Sequence, residues 1–269
     1  MRLRTRVTFL STADGGRLTA TGDGYHPQLR QGSTYTSCVL HSVPPGATFE
    51  PGHTYDVDVE PMSGQVPAGV LEFYEGSRRV ATAGPVIRTE AAVIALIESD
   101  PEAMPVLRAA AALGLPDWWI GAGFLRNRVW NALTGRPAEP DRDVDVAYFD
   151  PADLDPATET AAETRAATLL PGRPWEIRNQ ARMHLRNGVA PYTSTLDAIS
   201  HWPETATCVA VTLRAGRVAL TCCHGPADLL DMVVRPSPAF DTPSGRAKVE
   251  QRLTAKGWLT RWPGLRLEI

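Results

Sequence analysis

The sequence predicts two domains: an all-β barrel over residues 1–88, followed by an α/β domain with a mixed sheet over residues 89–269. Three observations carry this expectation. Short segments of alternating polarity, separated by Gly/Pro turns, fill the first third of the chain. Near Arg88 the composition changes from β-branched and turn-rich to alanine-rich. Beyond that point short apolar runs alternate with helix-length segments, as they do where strands and helices interleave. A length of 269 residues suits one large or two modest domains.

In the first domain Arg6–Leu10, Thr54–Val59 and Gly69–Tyr74 alternate in polarity, so each presents one face to a core. Asp14-Gly15-Gly16, Pro44-Pro45-Gly46, Pro51-Gly52 and Glu75-Gly76-Ser77 supply the turns between them. Regularly spaced short strands with such turns predict a small barrel or sandwich. Thr89–Ser99 then opens the alanine- and isoleucine-rich region.

In the second domain Pro101–Leu113 reads as a helix stopped by Gly114, and Asp117–Ile120 as a short apolar strand. Gly123–Leu133 reads as a helix ending at Gly135, Asp143–Phe149 as a strand, and Asp155–Leu170 as a helix. Pro174–Arg178 is the next strand, and Asn179–Arg186 a helix closed by Asn187-Gly188. Thr207–Leu213 and Val218–Cys222, joined by Arg214–Arg217, read as a hairpin. Asp228–Val234 and Gly245–Lys256 are expected to be helices.

Composition excludes several classes. With 27 basic and 30 acidic side chains, net −3, the chain has no overall basic surface, so any nucleic-acid contact must rest on a local patch. No stretch approaches a membrane span. The apolar run after Arg2, Arg4 and Arg6 is too short for a secretion signal, and a cytoplasmic location is expected. None of Cys38, Cys208, Cys222 and Cys223 forms a Cys-x-x-Cys pair, and neighbours such as Cys222 and Cys223 point to opposite faces of a strand, which disfavours zinc.

The chemistry concentrates between Trp118 and Asp150. Trp119-Ile120 ends a strand, Gly121-Ala122-Gly123 lets backbone approach a phosphate chain, and Arg126 and Asn127 fall in the first turn of the next helix. Asp143 and Asp145 lie two apart on a strand, so they share a face, while Val144 and Val146 face a core. Two carboxylates in contact repel by about 4 kcal/mol at an effective dielectric of about 20, a cost that a cation removes. The alternative for such a pair is a solvated strand edge. Glu176, between Trp175 and Ile177, is the third acid expected from a neighbouring strand. Asp141 shares the face of the pair as a spare ligand or as part of a polar loop, and Arg128 is expected to be solvated. Arg182 and Asn179 open the helix after Glu176, either within reach of phosphate or as surface arginine and cap. His184 reads as structural more readily than as a base. His201–Thr205 shapes a pocket or packs in the core, and the C-terminal segment carries Lys248, Arg252, Lys256 and Arg261 beside Trp258 and Trp262.

Two resemblances add to this reading. Asp14-Gly15-Gly16-Arg17, Gly24-Tyr25-His26-Pro27-Gln28-Leu29, Pro51-Gly52, Leu71–Val80 and Ala83-Gly84-Pro85-Val86 resemble the third domain of elongation factor Tu, a β-barrel, with His26 where that family usually has arginine. The resemblance implies a detached barrel that contacts tRNA or a partner protein, since no P-loop is present. From about Ile97 onward the chain resembles an uncharacterised bacterial nucleotidyltransferase-like family of the DNA polymerase beta superfamily. The residues that carry this are Leu115–Gly123, Arg126-Asn127 with Trp130, Asp143–Asp150, Trp175–His184, His201–Thr207 and Val233–Pro236. Phe124 and Glu176 stand where the superfamily often has serine and aspartate.

The expectation is a metal-dependent nucleotidyltransferase that moves a nucleoside monophosphate from a triphosphate to an unidentified acceptor, tRNA or other RNA, or a protein. Asp143, Asp145 and Glu176 would be catalytic and bind magnesium or manganese; Gly121, Gly123, Arg126, Asn127 and Arg182 would bind the nucleotide. A non-catalytic nucleotide-binding regulator is the alternative, and nuclease chemistry on the same acids ranks last.

Overall fold

The computed structural model describes residues 3–31, 34–63, 71–83, 87–262 and 264–269. The chain divides into two compact units, Met1–Val86 with Ala132–Arg136, and Ile87–Asn131 with Pro137–Ile269.

The first unit is a closed antiparallel barrel of β1 (Leu3–Phe9), β2 (Gln28–Gln31), β3 (Thr34–Ser42), β4 (Thr54–Pro61), β5 (Leu71–Glu75) and β6 (Arg78–Ala83), in the order β1-β4-β3-β2-β5-β6. Closure follows because β1 pairs with both β4 and β6, which leaves no free sheet edge. The period-two pattern sends Val57 and Val59 of β4, Cys38 and Leu40 of β3, and Leu71 and Phe73 of β5 inward. Phe9 stacks on Phe49 at 4.8 Å within this core. Of the expected segments, Gly69-Val70 and Gly84-Pro85-Val86 lie outside the described residues.

In the second unit the chain runs through helices α1 (Glu90–Ser99) and α2 (Ala103–Ala112), strand β7 (Trp119–Gly121), α3 (Gly123–Leu133), β8 (Val144–Tyr148), α4 (Pro156–Leu169), β9 (Trp175–Asn179) and α5 (Gln180–Asn187). It continues through α6 (Thr195–Ser200), β10 (Val209–Arg214), β11 (Arg217–Cys222), α7 (Ala227–Leu230), β12 (Val233–Val234), α8 (Pro243–Ala255), α9 (Trp258–Arg261) and β13 (Arg266–Leu267). The sheet is mixed, in the order β11-β10-β7-β8-β9, with β8 and β9 parallel and the other pairs antiparallel. Helix starts are capped as their residue types dictate: Thr89, Asp155, Asn179, Ser194 and Thr242 each accept a hydrogen bond from an amide of the first turn. Among the described residues no helix is long and apolar enough to cross a membrane.

The expected helix over Asp228–Val234 is not formed. One helical turn ends at Leu230, Met232 takes φ +54°, and the β-branched pair Val233-Val234 joins β13 as a parallel strand. The short α6 and α9 were not anticipated, because four to six residues show no helical period.

Tryptophans fasten the C-terminal segment to α3. Trp130, fully buried, meets Trp262 edge-on at 5.0 Å and Trp258 at 5.8 Å, and its indole N–H donates to the Leu229 carbonyl at 2.9 Å. The Trp262 indole N–H donates to Asn131 Oδ1 at 2.9 Å. Trp130→Ala removes the centre of this cluster and orphans a carbonyl. It is expected to cost about 3–5 kcal/mol, read as a large fall in the thermal unfolding midpoint of the second unit.

Candidate active site

The site begins where β7 turns into α3. Ala122 adopts φ +48°, and its amide donates to the Val209 carbonyl at 3.2 Å, which fixes the reversal. A side chain at Gly123 would meet Asp143 Oδ1 at 3.4 Å, Asn127 Nδ2 at 3.5 Å and an Arg126 nitrogen at 3.9 Å. The free amides of the α3 N-terminus therefore open beside a carboxylate, an amide and a guanidinium. Gly121 has a different reason: a Cβ there would come within 2.7 Å of the Trp202 ring. Trp202 lines the cavity and Gly121 does not, so Gly121 acts by admitting the indole.

Register assembles the acids. In the parallel pair, Asp145 stands beside Glu176, while Val144, Val146, Trp175 and Ile177 are buried on the opposite face. Asp143, Asp145 and Glu176 all line a cavity of about 900 Å³, together with Gly123, Arg126 and Asn127. Burial, then Asp143, then Glu176, push the Asp145 carboxyl up to about 6. Lys256 and Arg126 act on it in the opposite sense.

Arg126 is the counterpart of these acids. It is 5% exposed, with its guanidinium carbon 4.0 Å from the Trp258 ring centroid and 5.2 Å from that of Trp130. One terminal nitrogen donates to Asn127 Oδ1 at 2.9 Å, and its Nε has no hydrogen-bond partner. Burial pulls its pKa down to about 10, and the strongest opposing influence is the charge of Glu204. A buried cation lining an open cavity is suited to an anion such as phosphate.

The structure brings Asp143, Asp145, Glu176, Gly123, Arg126 and Asn127 together, and leaves Arg182 out. Arg182 donates from Nε to Glu159 Oε1 at 2.7 Å and from a terminal nitrogen to Oε2 at 2.5 Å, and it does not line the cavity. The helical turn after Asn179 carries it back onto α4. Asn179 caps α5 and holds the Asp150 and Asp153 carbonyls through its side-chain amide. Arg128 is not solvated: it forks onto Asp141 at 2.6 and 2.9 Å and reaches Asp100 at 2.8 Å, which also removes Asp141 as a spare ligand. The His184 ring bonds the Ala181 carbonyl one turn back, away from the cavity.

Glu204 was not foreseen. Fully buried, it accepts from Arg252 Nε at 2.6 Å and from Thr207 Oγ1 at 3.0 Å, and so holds Arg252 at the cavity wall. The pocket reading of His201–Thr205 pointed to this segment, but not to a partner 48 residues away.

An all-carboxylate set suits a hard divalent cation in its chemistry. Asp143, Asp145 and Glu176 would hold it, and the raised pKa of Asp145 is the strain such a charge relieves. The three side chains are not drawn into a finished cage: among the described residues no group of three or more His, Cys, Asp or Glu side chains is placed to hold a metal ion.

A mixed sheet with acids on paired strands, facing a helix N-terminus and a buried cation, defines a phosphate-handling α/β protein. The chain belongs to the nucleotidyltransferase family, which it matches over residues 108–267. It is also similar to a solved structure, determined by NMR and described as a CCA-adding enzyme head domain, at 30% identity and a TM-score of 0.61, over 68% of this chain and 97% of that one. No curated protein matches.

The folded Asp145 pKa lies above its ordinary 3.8, so its ionisation costs stability. The cost is absent below about pH 4 and grows as pH rises through about 6. In chelator, Asp145→Asn is expected to be more stable than the parent by about 2–3 kcal/mol above about pH 7, with the gap closing toward about pH 4, in paired thermal melts.

Proposed function

We propose that this chain transfers a nucleoside monophosphate from a nucleoside triphosphate to the hydroxyl of an acceptor. The observation that supports this most is the meeting, in one cavity, of Asp143, Asp145 and Glu176 with the buried, incompletely bonded Arg126. The acceptor oxygen bonds to the α-phosphorus, the bond to the bridging oxygen breaks, and pyrophosphate leaves. The hydroxyl proton passes to a carboxylate oxygen of the acidic set. Arg126, the Asn127 side chain and the α3 amides bind and orient the phosphates. A divalent cation held by Asp143, Asp145 and Glu176, magnesium or manganese, would supply charge neutralisation at the phosphates. The barrel presents the acceptor or docks a partner, the role implied by its resemblance to the third domain of elongation factor Tu. The CCA-adding description of the similar structure favours an RNA acceptor over a protein.

A binder without turnover is the second reading, and the carboxylates standing short of a finished metal cage are the observation on its side. With a radiolabelled triphosphate, magnesium or manganese, and cellular RNA and protein, the parent is expected to release pyrophosphate and label an acceptor. Asp143→Ala and Asp145→Ala should each lower the rate about a hundredfold or more. Undiminished release from either variant would sink the assignment. Calorimetric triphosphate binding that survives both substitutions, with no release from the parent, would establish the binder instead.

A further inference from the structure

Lys248 and Lys256 are the only lysines in the chain, and both line the cavity. Arg252 lies midway between them on α8 and lines it too. A spacing of four residues places the three on one stripe of the helix surface. Among the described residues, eight Arg or Lys side chains and three carboxylates line this cavity, in a chain whose net charge is −3. Three of the eight already pair with glutamates outside the lining, Arg252 among them, and five remain against the three acids. Bases thus outnumber acids at the cavity, although acids outnumber bases in the chain.

We propose that the Lys248–Arg252–Lys256 stripe is a phosphate track for a single-stranded polynucleotide whose terminal hydroxyl is the acceptor. This rests on the transfer reading above and names its acceptor class. Eight residues of helix separate the two lysines by about 12 Å along the axis. Three cationic positions spread over that distance suit successive phosphates of one strand rather than a single group. The Lys256 end leads into Trp258, whose ring lies 4.0 Å from the Arg126 guanidinium carbon at the same cavity, which places the strand terminus at the reacting groups. At the other end Lys248 Nζ lies 5.2 Å from the Phe240 ring centroid, and Phe240 lines the cavity as a surface on which a base can stack. A polypeptide acceptor offers no such succession of phosphates. The strand's terminal oxygen forms the new bond to the α-phosphorus, and pyrophosphate departs.

The test is fluorescence anisotropy of a short fluorescein-labelled single-stranded RNA with the full chain, without triphosphate, over a range of salt. Affinity should fall linearly with salt on logarithmic axes. Lys248→Ala should weaken binding several-fold and reduce the slope by about 0.7, the share of one phosphate contact, and Lys248→Arg should restore both. Arg246 is on the same helix but does not line the cavity and pairs with Asp241. Arg246→Ala, with the same loss of charge, should leave the slope unchanged. A slope unaffected by Lys248→Ala, an equal loss from Arg246→Ala, or label transferred to protein with no RNA bound would each overturn the proposal. Because binding is read without triphosphate, salt-dependent RNA binding with no pyrophosphate release would support the track and overturn the transfer chemistry alone.

Discussion

The parallel pairing of β8 with β9 is the constraint on which the site depends. Every other pairing in this sheet is antiparallel, and only this one sets Asp145 beside Glu176. Parallel neighbours need a crossover, and α4 provides it. The same helix also fixes the register: Glu159 accepts from the Asn179 amide at 2.8 Å and Glu163 from the Ile177 amide at 3.0 Å. A slip of one residue would turn Glu176 into the core and Trp175 into the cavity. The carboxylates of α4 are thus spent on holding β9, and Arg182 is drawn into that work through Glu159.

The other half of the site is held by aromatic packing rather than by sheet register. Trp130, Trp258 and Trp262 lock the C-terminal helices against α3, and Arg126 lies among the first two of these rings. The guanidinium is kept out of water by rings that form no hydrogen bond to its buried Nε, so its charge is held by cation–π packing. Glu204 performs the complementary task at a distance, steadying Arg252 directly and favouring the charge of Arg126 through space. Acids and bases of the described residues therefore face a shared volume without cancelling in direct ion pairs to one another.

Features that depend on neighbours in sequence were legible in the sequence. The alternation of Val144 and Val146 with Asp143 and Asp145, and of Trp175 and Ile177 with Glu176, shows which face each side chain takes, and Asn179 marks where α5 starts. Three strands of the barrel, β1, β4 and β5, were legible for the same reason, since Val57 and Val59 mark an inner face without reference to any other element. Features that depend on distant partners were not legible. Arg182 and Arg128 look free until Glu159 and Asp141 are brought against them. Gly121 looks like part of a phosphate turn until Trp202, far along the chain, packs over it. Glu204 gives no local sign of the arginine it will hold, and Met232 gives none of the left-handed backbone that ends α7.

Lysine usage has a chemical consequence. Arginine supplies nearly all of the chain's basic charge, and the two primary amines on its side chains both open into one cavity. An amine-selective reagent, such as a reductive-alkylating one, therefore finds its side-chain targets only there. The molecule carries its own address for site-directed covalent tagging, with no residue introduced and none removed.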